Sequence, residues 1–225
     1  MNILATARTL SIAATLSIAG LAAPSAWALP VTATNNIAQA IPDNNSTGIS
    51  SVITIGTSGL INSMSLLVAI GHSWLGDLVV TLTNGSNTVT LMDRPGLPIP
   101  FAFGDSSDLL ATAPLTFSDA ASILNPAESM GLLCTASQTI GVDFLCSNTV
   151  FRPQQPLSAF NGSNIQGNWT LKVSDRAAND VGRLASWTLQ ADVTSQVPEP
   201  TALALVGLAL AAAGATTRRR AQPAA

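Results

Sequence analysis

Few side chains in this sequence are equipped for chemistry. The one histidine, His72, sits in "GHSWLGDL" five residues before Asp77. As a hydrolase base oriented by Asp77 it would need a serine held at a special turn, and the sequence has no G-x-S-x-G elbow or other nucleophile context. Residues five apart on a strand also point to opposite faces. His72 therefore reads as a hydrogen-bonded structural histidine, and no catalytic residue is assigned.

Carboxylates offer more. Asp77, Asp105, Asp108, Asp119, Asp143, Asp175 and Asp180 fall mostly at expected strand ends or in loops rich in Gly, Ser and Asn. Carboxylates and freed backbone carbonyls together suit calcium, and Asp77, Asp175 and Asp180 are the candidate ligands; the alternative is solvated loop charge. No EF-hand spacing occurs, and a single histidine disfavours zinc. The two cysteines, Cys134 and Cys146, read as a disulfide if the chain is exported, the alternative being two buried thiols. Closing so short a loop is worth about 3 kcal/mol in the loop-entropy account. Trp74, Trp169 and Trp187 could in principle stack on sugars, but at least two of them alternate in phase with core positions.

These groups must be positioned by strands. Leu66, Val68 and Ile70 fall on one face at period two, as do Leu78, Val80 and Leu82, then Trp169, Leu171 and Val173, then Trp187, Leu189, Ala191 and Val193. Asn84-Gly85 reads as a hairpin turn, since both residues accept positive φ. Ser118 to Leu124 has room for a short helix; elsewhere in the body no helical period lasts beyond two turns. Residues 29–49 read as an extended segment without apolar period, and 94–166 as loop-heavy. Short alternating runs broken by Gly, Asn, Asp and Pro are the pattern of an all-β sandwich or barrel.

The two ends differ from this body. "MNILATARTLSIAATLSIAGLAAPSAWALP" has a basic residue, an apolar run and Ala26-Trp27-Ala28, the order of a secretory signal over residues 1–28 with cleavage after Ala28. Setting aside residues 1–28 and everything from Val197 leaves five basic against eleven acidic residues. Such an acidic body has no basic cluster for nucleic acid or anionic lipid.

Taken in order, His72-x-Trp74-x-Gly76-Asp77-Leu78, Phe117-Ser118-Asp119-Ala120, Gly167-x-Trp169-x-Leu171, Asp175, Gly182 and Ser186-Trp187-x-Leu189 resemble the P domain, or Homo B domain, of kexin- and furin-type proprotein convertases, over about residues 50–193. The resemblance implies a jelly-roll β-sandwich of about eight strands. It also implies a module that packs against a subtilisin-like protease and stabilises it without supplying a catalytic residue. The Asp-His-Ser blocks of subtilisins are missing here. The sequence departs from many bacterial relatives in "FAFGDSSDLL", where a Cys is expected, so neither their disulfide pattern nor a loop metal site carries over.

The tail resembles a second family. "VPEPTALALVGLALAAAGATTRRR" is similar to a PEP-CTERM sorting signal over residues 197–225: Pro198-Glu199-Pro200, an apolar segment, then Arg218, Arg219 and Arg220. As a helix, Ala202 to Thr217 spans about 24 Å, slightly less than the hydrocarbon core, and the arginines would stay cytoplasmic. The resemblance implies an exosortase that processes the motif in a Gram-negative bacterium making extracellular polysaccharide. The expected route runs from an inner-membrane-tethered precursor, held only transiently, to the cell surface or extracellular matrix. The expected role there is structural or adhesive, with polysaccharide or surface proteins as partners. Two alternatives stand beside it: an accessory domain for a subtilisin-like endopeptidase acting in trans, and a carbohydrate-binding module.

Overall fold

Period-two apolar rows become two facing sheets. The computed structural model describes residues 28–96, 103–123, 126–127, 145–146 and 150–194, with 207, 209 and 210. Its strands are β1 (Ala28–Asn35), β2 (Gln39–Ile41), β3 (Asn45–Ile55), β4 (Leu60–His72), β5 (Leu78–Asn84), β6 (Asn87–Asp93), β7 (Asp108–Leu109), β8 (Leu115–Ser118), β9 (Leu145–Cys146), β10 (Val150–Phe151), β11 (Gly167–Asp175) and β12 (Gly182–Thr194). One sheet runs β1-β12-β4-β7-β9, with β2 also on β12 and β8 on β4; the other runs β3-β11-β5-β6. This is the all-β sandwich the alternation predicts.

The core lies between the sheets. In β4 the buried row is Met64, Leu66, Val68 and Ile70; in β11 it is Trp169, Leu171 and Val173. Phe160 meets Trp169 edge to face at 5.0 Å. Trp169 Nε1 donates to the Ile165 carbonyl at 2.8 Å, and Trp187 Nε1 donates across the sandwich to Ser51 Oγ at 2.9 Å. Each buried indole thus has a partner, without which it would cost about 1–3 kcal/mol. In β12 the buried positions Leu184 and Trp187 are three apart, because a register shift between Leu184 and Ser186 changes the parity.

Several expectations need correction. Residues 29–49 are part of the sandwich: β1 pairs β12 from Ala28↔Thr194 to Asn35↔Trp187, and β2 continues the same edge after a turn in which Asn35 Oδ1 accepts the Ile37 amide. An edge strand facing solvent shows no apolar period, which is why the segment looked featureless. The hairpin after β5 has Gly85 and Ser86 as its central pair, with Asn84 opposite Asn87. Only Gly85 takes positive φ, +58°, the Gly-first pattern of a two-residue hairpin. Ser118 closes β8, and a turn follows it in place of a helix. There Asp119 accepts the amides of Leu157 and Ser158 at 2.9 and 2.7 Å, fixing a 3-10 turn at Leu157–Phe160.

Candidate functional site

The buried rows of β4 and β11 do not stop at apolar residues. Continuing the period of two from Ile70 gives His72, and from Val173 gives Asp175; both side chains are fully buried. The two strands belong to opposite sheets, so the residues meet across the end of the sandwich, His72 Nε2 at 3.1 Å from Asp175 Oδ2. The Trp74 amide donates to His72 Nδ1 at 3.1 Å. With Nδ1 accepting, the ring proton sits on Nε2 and is donated to the carboxylate. Asp175 Oδ1 accepts the Ala177 amide at 3.0 Å. Gly182 of β12 lies flat against the imidazole: a Cβ there would sit 2.2 Å from His72 Cδ2 and 2.6 Å from the Gly71 carbonyl.

Three further groups surround this pair. Asp77 ends the 3-10 turn Leu75–Asp77 with its side chain buried, and its Oδ1 lies 3.6 Å from the guanidinium of Arg94. Burial pushes the Asp77 carboxyl up from 3.8 to about 6, and the neighbouring charges of Asp175 and Asp180 push in the same direction; Arg94 and His72 oppose them. Arg94 also donates from Nε to the Gly76 carbonyl at 3.0 Å. Asp180 Oδ1 accepts the Ser73 hydroxyl at 2.8 Å, and that hydroxyl in turn accepts the Val181 amide at 3.3 Å. Next to this, Trp74 is half-buried and donates from its indole to the Phe103 carbonyl at 2.9 Å.

The structure therefore brings Asp77, Asp175 and Asp180 to one end of the molecule, as the candidate ligand set requires. Their oxygens, however, face protein donors: imidazole and amide at Asp175, a hydroxyl at Asp180, a guanidinium at Asp77. Among the described residues, no group of three or more His, Cys, Asp or Glu side chains is arranged to hold a metal ion. Both ring nitrogens of His72 are engaged by protein groups, and its side chain is buried.

Sequence reasoning weighed Asp77 as the partner of His72 and missed Asp175. The signal was present in the parity of two strands, but which strands face each other is a matter of topology. Asp105 lies nearby and accepts the Ser107 amide at 2.8 Å. Cys134 and Asp143 fall outside the described residues, and of Cys146 only the backbone, in β9, is described. Residues 1–27, the sorting motif Pro198-Glu199-Pro200 and Arg218 to Arg220 are also outside them. Ala28 is the first residue of β1. Among the described residues, no helix is long and apolar enough to cross a membrane.

The model of the proprotein convertase P-domain matches residues 126–191, and that of the PEP-CTERM protein-sorting motif matches residues 196–220. The first match takes in β11 and most of β12, including Asp175, Asp180 and Gly182. Strand β4, which carries His72, and the 3-10 turn that carries Asp77 precede it, and β4 and β5 belong to the same two sheets. No curated protein matches the chain. Among solved structures, the crystal structure of the Aeromonas sobria serine protease in complex with its chaperone is similar, with 18% identity and a TM-score of 0.49, covering 77% of this chain and 28% of that one. The serine protease of Aeromonas sobria alone gives 17% and 0.46, covering 76% of this chain and 28% of that one. The chain thus spans under a third of the length of these proteins. The PEP-CTERM motif marks a membrane-anchored precursor sorted to the cell surface of Gram-negative bacteria.

Proposed function

We propose that this chain is a non-enzymatic P-domain module, delivered by an exosortase system to the cell surface or exopolysaccharide matrix and serving there in a structural or adhesive role. The observation that carries this reading is the succession of a P-domain match and a sorting-motif match in one chain, at 126–191 and 196–220. The closed His72–Asp175 pair supports it, since the one histidine is spent on joining two sheets. The test follows the full chain in an exosortase-bearing Gram-negative host. The expected result is a tail-free protein in the surface and matrix fractions, retention in the membrane fraction when Pro198 and Glu199 become Ala, and no hydrolysis of casein by the purified protein. Matrix localisation independent of Pro198 and Glu199 would overturn the reading.

One observation favours the second reading, an accessory domain for a subtilisin-like endopeptidase in trans. Beside the His72 end lies an open cleft of about 550 Å³ lined in part by Ala40, Leu109, Leu110 and Val181. Val181 is 69% exposed there. Exposed apolar surface of this kind suits a protein partner. Co-purification of a protease from the native host, lost in Val181→Asp, would favour this reading over the first. Sugar stacking on tryptophan has less to work with: Trp169 and Trp187 are in the core, and Trp74 is half-buried.

Calcium is examined by thermal unfolding in excess calcium and in chelator. With the carboxylates facing protein donors, the expected midpoint is the same in both. Ligand at a hundred times its dissociation constant would instead stabilise by about 2.7 kcal/mol. A rise of several degrees would show that Asp77, Asp175 and Asp180 rearrange around the ion.

A further inference from the structure

The end of the sandwich opposite His72 has a chemistry of its own. Three loops meet there: 56–59, reading "GTSG"; 84–87, reading "NGSN"; and 161–166, reading "NGSNIQ". None contains an ionisable side chain, in a body that is strongly acidic. Hydrogen bonds tie two of them together: the Ile165 amide to the Gly59 carbonyl at 2.9 Å, Asn164 Nδ2 to Ser58 Oγ at 3.0 Å, and Gln166 Nε2 to the Gly56 carbonyl at 3.1 Å. The third is fastened through Asn84 Nδ2 to the Asn168 carbonyl at 3.2 Å. Thr57, Ser86 and Asn161 face solvent.

The chain leaves the fold at this same end. Thr194 closes β12 and pairs with both Leu60 and Ala28. From Thr194 to Pro198 is four residues, which even fully extended span at most about 14 Å. An enzyme that grips Pro198-Glu199-Pro200 must therefore come within that distance of Thr194, whose partner Leu60 directly follows the loop 56–59. Salt screens exposed charges only beyond about 8 Å, and bulky side chains on the loops would take up much of the remaining space.

We infer that the neutral loops 56–59, 84–87 and 161–166 form the face that the enzyme reading the sorting motif lies against while it processes the tail. The inference rests on the sorting reading above. The face grants access: small, neutral, internally hydrogen-bonded loops let the enzyme close over the motif without repulsion or steric conflict. It also gives the precursor an orientation, with the charged end of the sandwich directed away from the membrane.

The experiment measures the rate of tail loss from the full chain in an exosortase-bearing host. A variant carrying Thr57→Arg, Ser86→Arg and Asn161→Arg is compared with the same three positions changed to Glu, and with Ser46→Arg, Thr47→Arg and Ala178→Arg at the opposite end. Each must first show an unfolding midpoint close to that of the unaltered chain. Both the Arg and the Glu variants of the loops are expected to slow processing by about tenfold, the effect of a barrier raised by 1.36 kcal/mol, whereas the opposite-end variant is processed normally. Inserting ten Gly/Ser residues after Thr194 is expected to restore the rate, because distance is what the loops conserve. Normal processing of the loop variants, or slow processing that the spacer fails to relieve, would overturn the inference. Slowing by Glu with acceleration by Arg would also overturn it, assigning the face to the anionic bilayer. If Pro198→Ala with Glu199→Ala is processed at the unaltered rate, the sorting reading itself fails, and the inference with it.

Discussion

At one end of the sandwich the core rows run out into His72 and Asp175, with Asp77 in the adjoining turn; at the other they run out into loops rich in Gly, Ser, Thr and Asn with nothing to ionise. Both ends must satisfy backbone and side-chain polar groups where two sheets stop. The charged end does so with buried groups that depend on one another: imidazole on carboxylate, guanidinium beside carboxylate, hydroxyl on carboxylate. The uncharged end uses amide and hydroxyl hydrogen bonds near solvent, each replaceable by water. Buried charge is costly to take out of water and costly to leave unpaired, so the first end is specific and fragile, whereas the second is forgiving.

The largest expected effect follows from removing one partner of the buried pair. Asp175→Ala leaves the His72 Nε2 proton and the Ala177 amide without acceptors and should lower unfolding stability by about 3–5 kcal/mol in urea titration. A loss below about 1 kcal/mol would mean that water replaces the carboxylate, and the contrast between the ends would collapse.

Next in size is the pH response of Asp77. Its carboxyl titrates near 6 in the folded protein against 3.8 without the fold, so between these values the folded state holds the extra proton. The stabilisation from this group is complete below about pH 4 and is lost as pH rises through 6, amounting to about 3 kcal/mol. Asp77→Asn should remove that slope and be more stable than the unaltered chain at pH 7.5, as read from denaturation midpoints across the range. An unchanged slope would point to another buried group as its source.

The third prediction makes the same substitution at both ends. Gly182→Ala drives a methyl into His72 and the Gly71 carbonyl, with a cost of about 1–3 kcal/mol and displaced imidazole resonances in NMR spectra. Gly85→Ala meets nothing within 4 Å and suffers only from its left-handed φ of +58°, about 1 kcal/mol. Equal losses would show that backbone conformation outweighs packing at the charged end. Smallest of all, single neutral-to-charged changes such as Ser86→Glu should stay within about 0.5 kcal/mol, since the side chain is in water.

Much of this was legible along the chain. Strand faces followed from alternation, and the predicted rows at Leu66, Leu78, Trp169 and Trp187 are buried as expected, because a period of two is a local property of extended backbone. The edge strands were not legible: β1 and β2 gain their order from β12 and bury little themselves. The turn after Ser118 is not legible in the local pattern, because Asp119 is committed to amides nearly forty positions away.

Sequence by itself determined the class of the fold, the acidic body and the PEP-CTERM motif of the tail, since hydrophobic period, charge count and short motifs need no partner elsewhere in the chain. It also marked His72 as a hydrogen-bonded structural histidine. Only the tertiary structure decided that His72 and Asp175 meet, that Arg94 pairs with the Asp77 carboxylate, and that neutral loops lie at the end where Thr194 closes β12. Each of these is fixed by which strand lies next to which, and strand order is a property of the packed sheets.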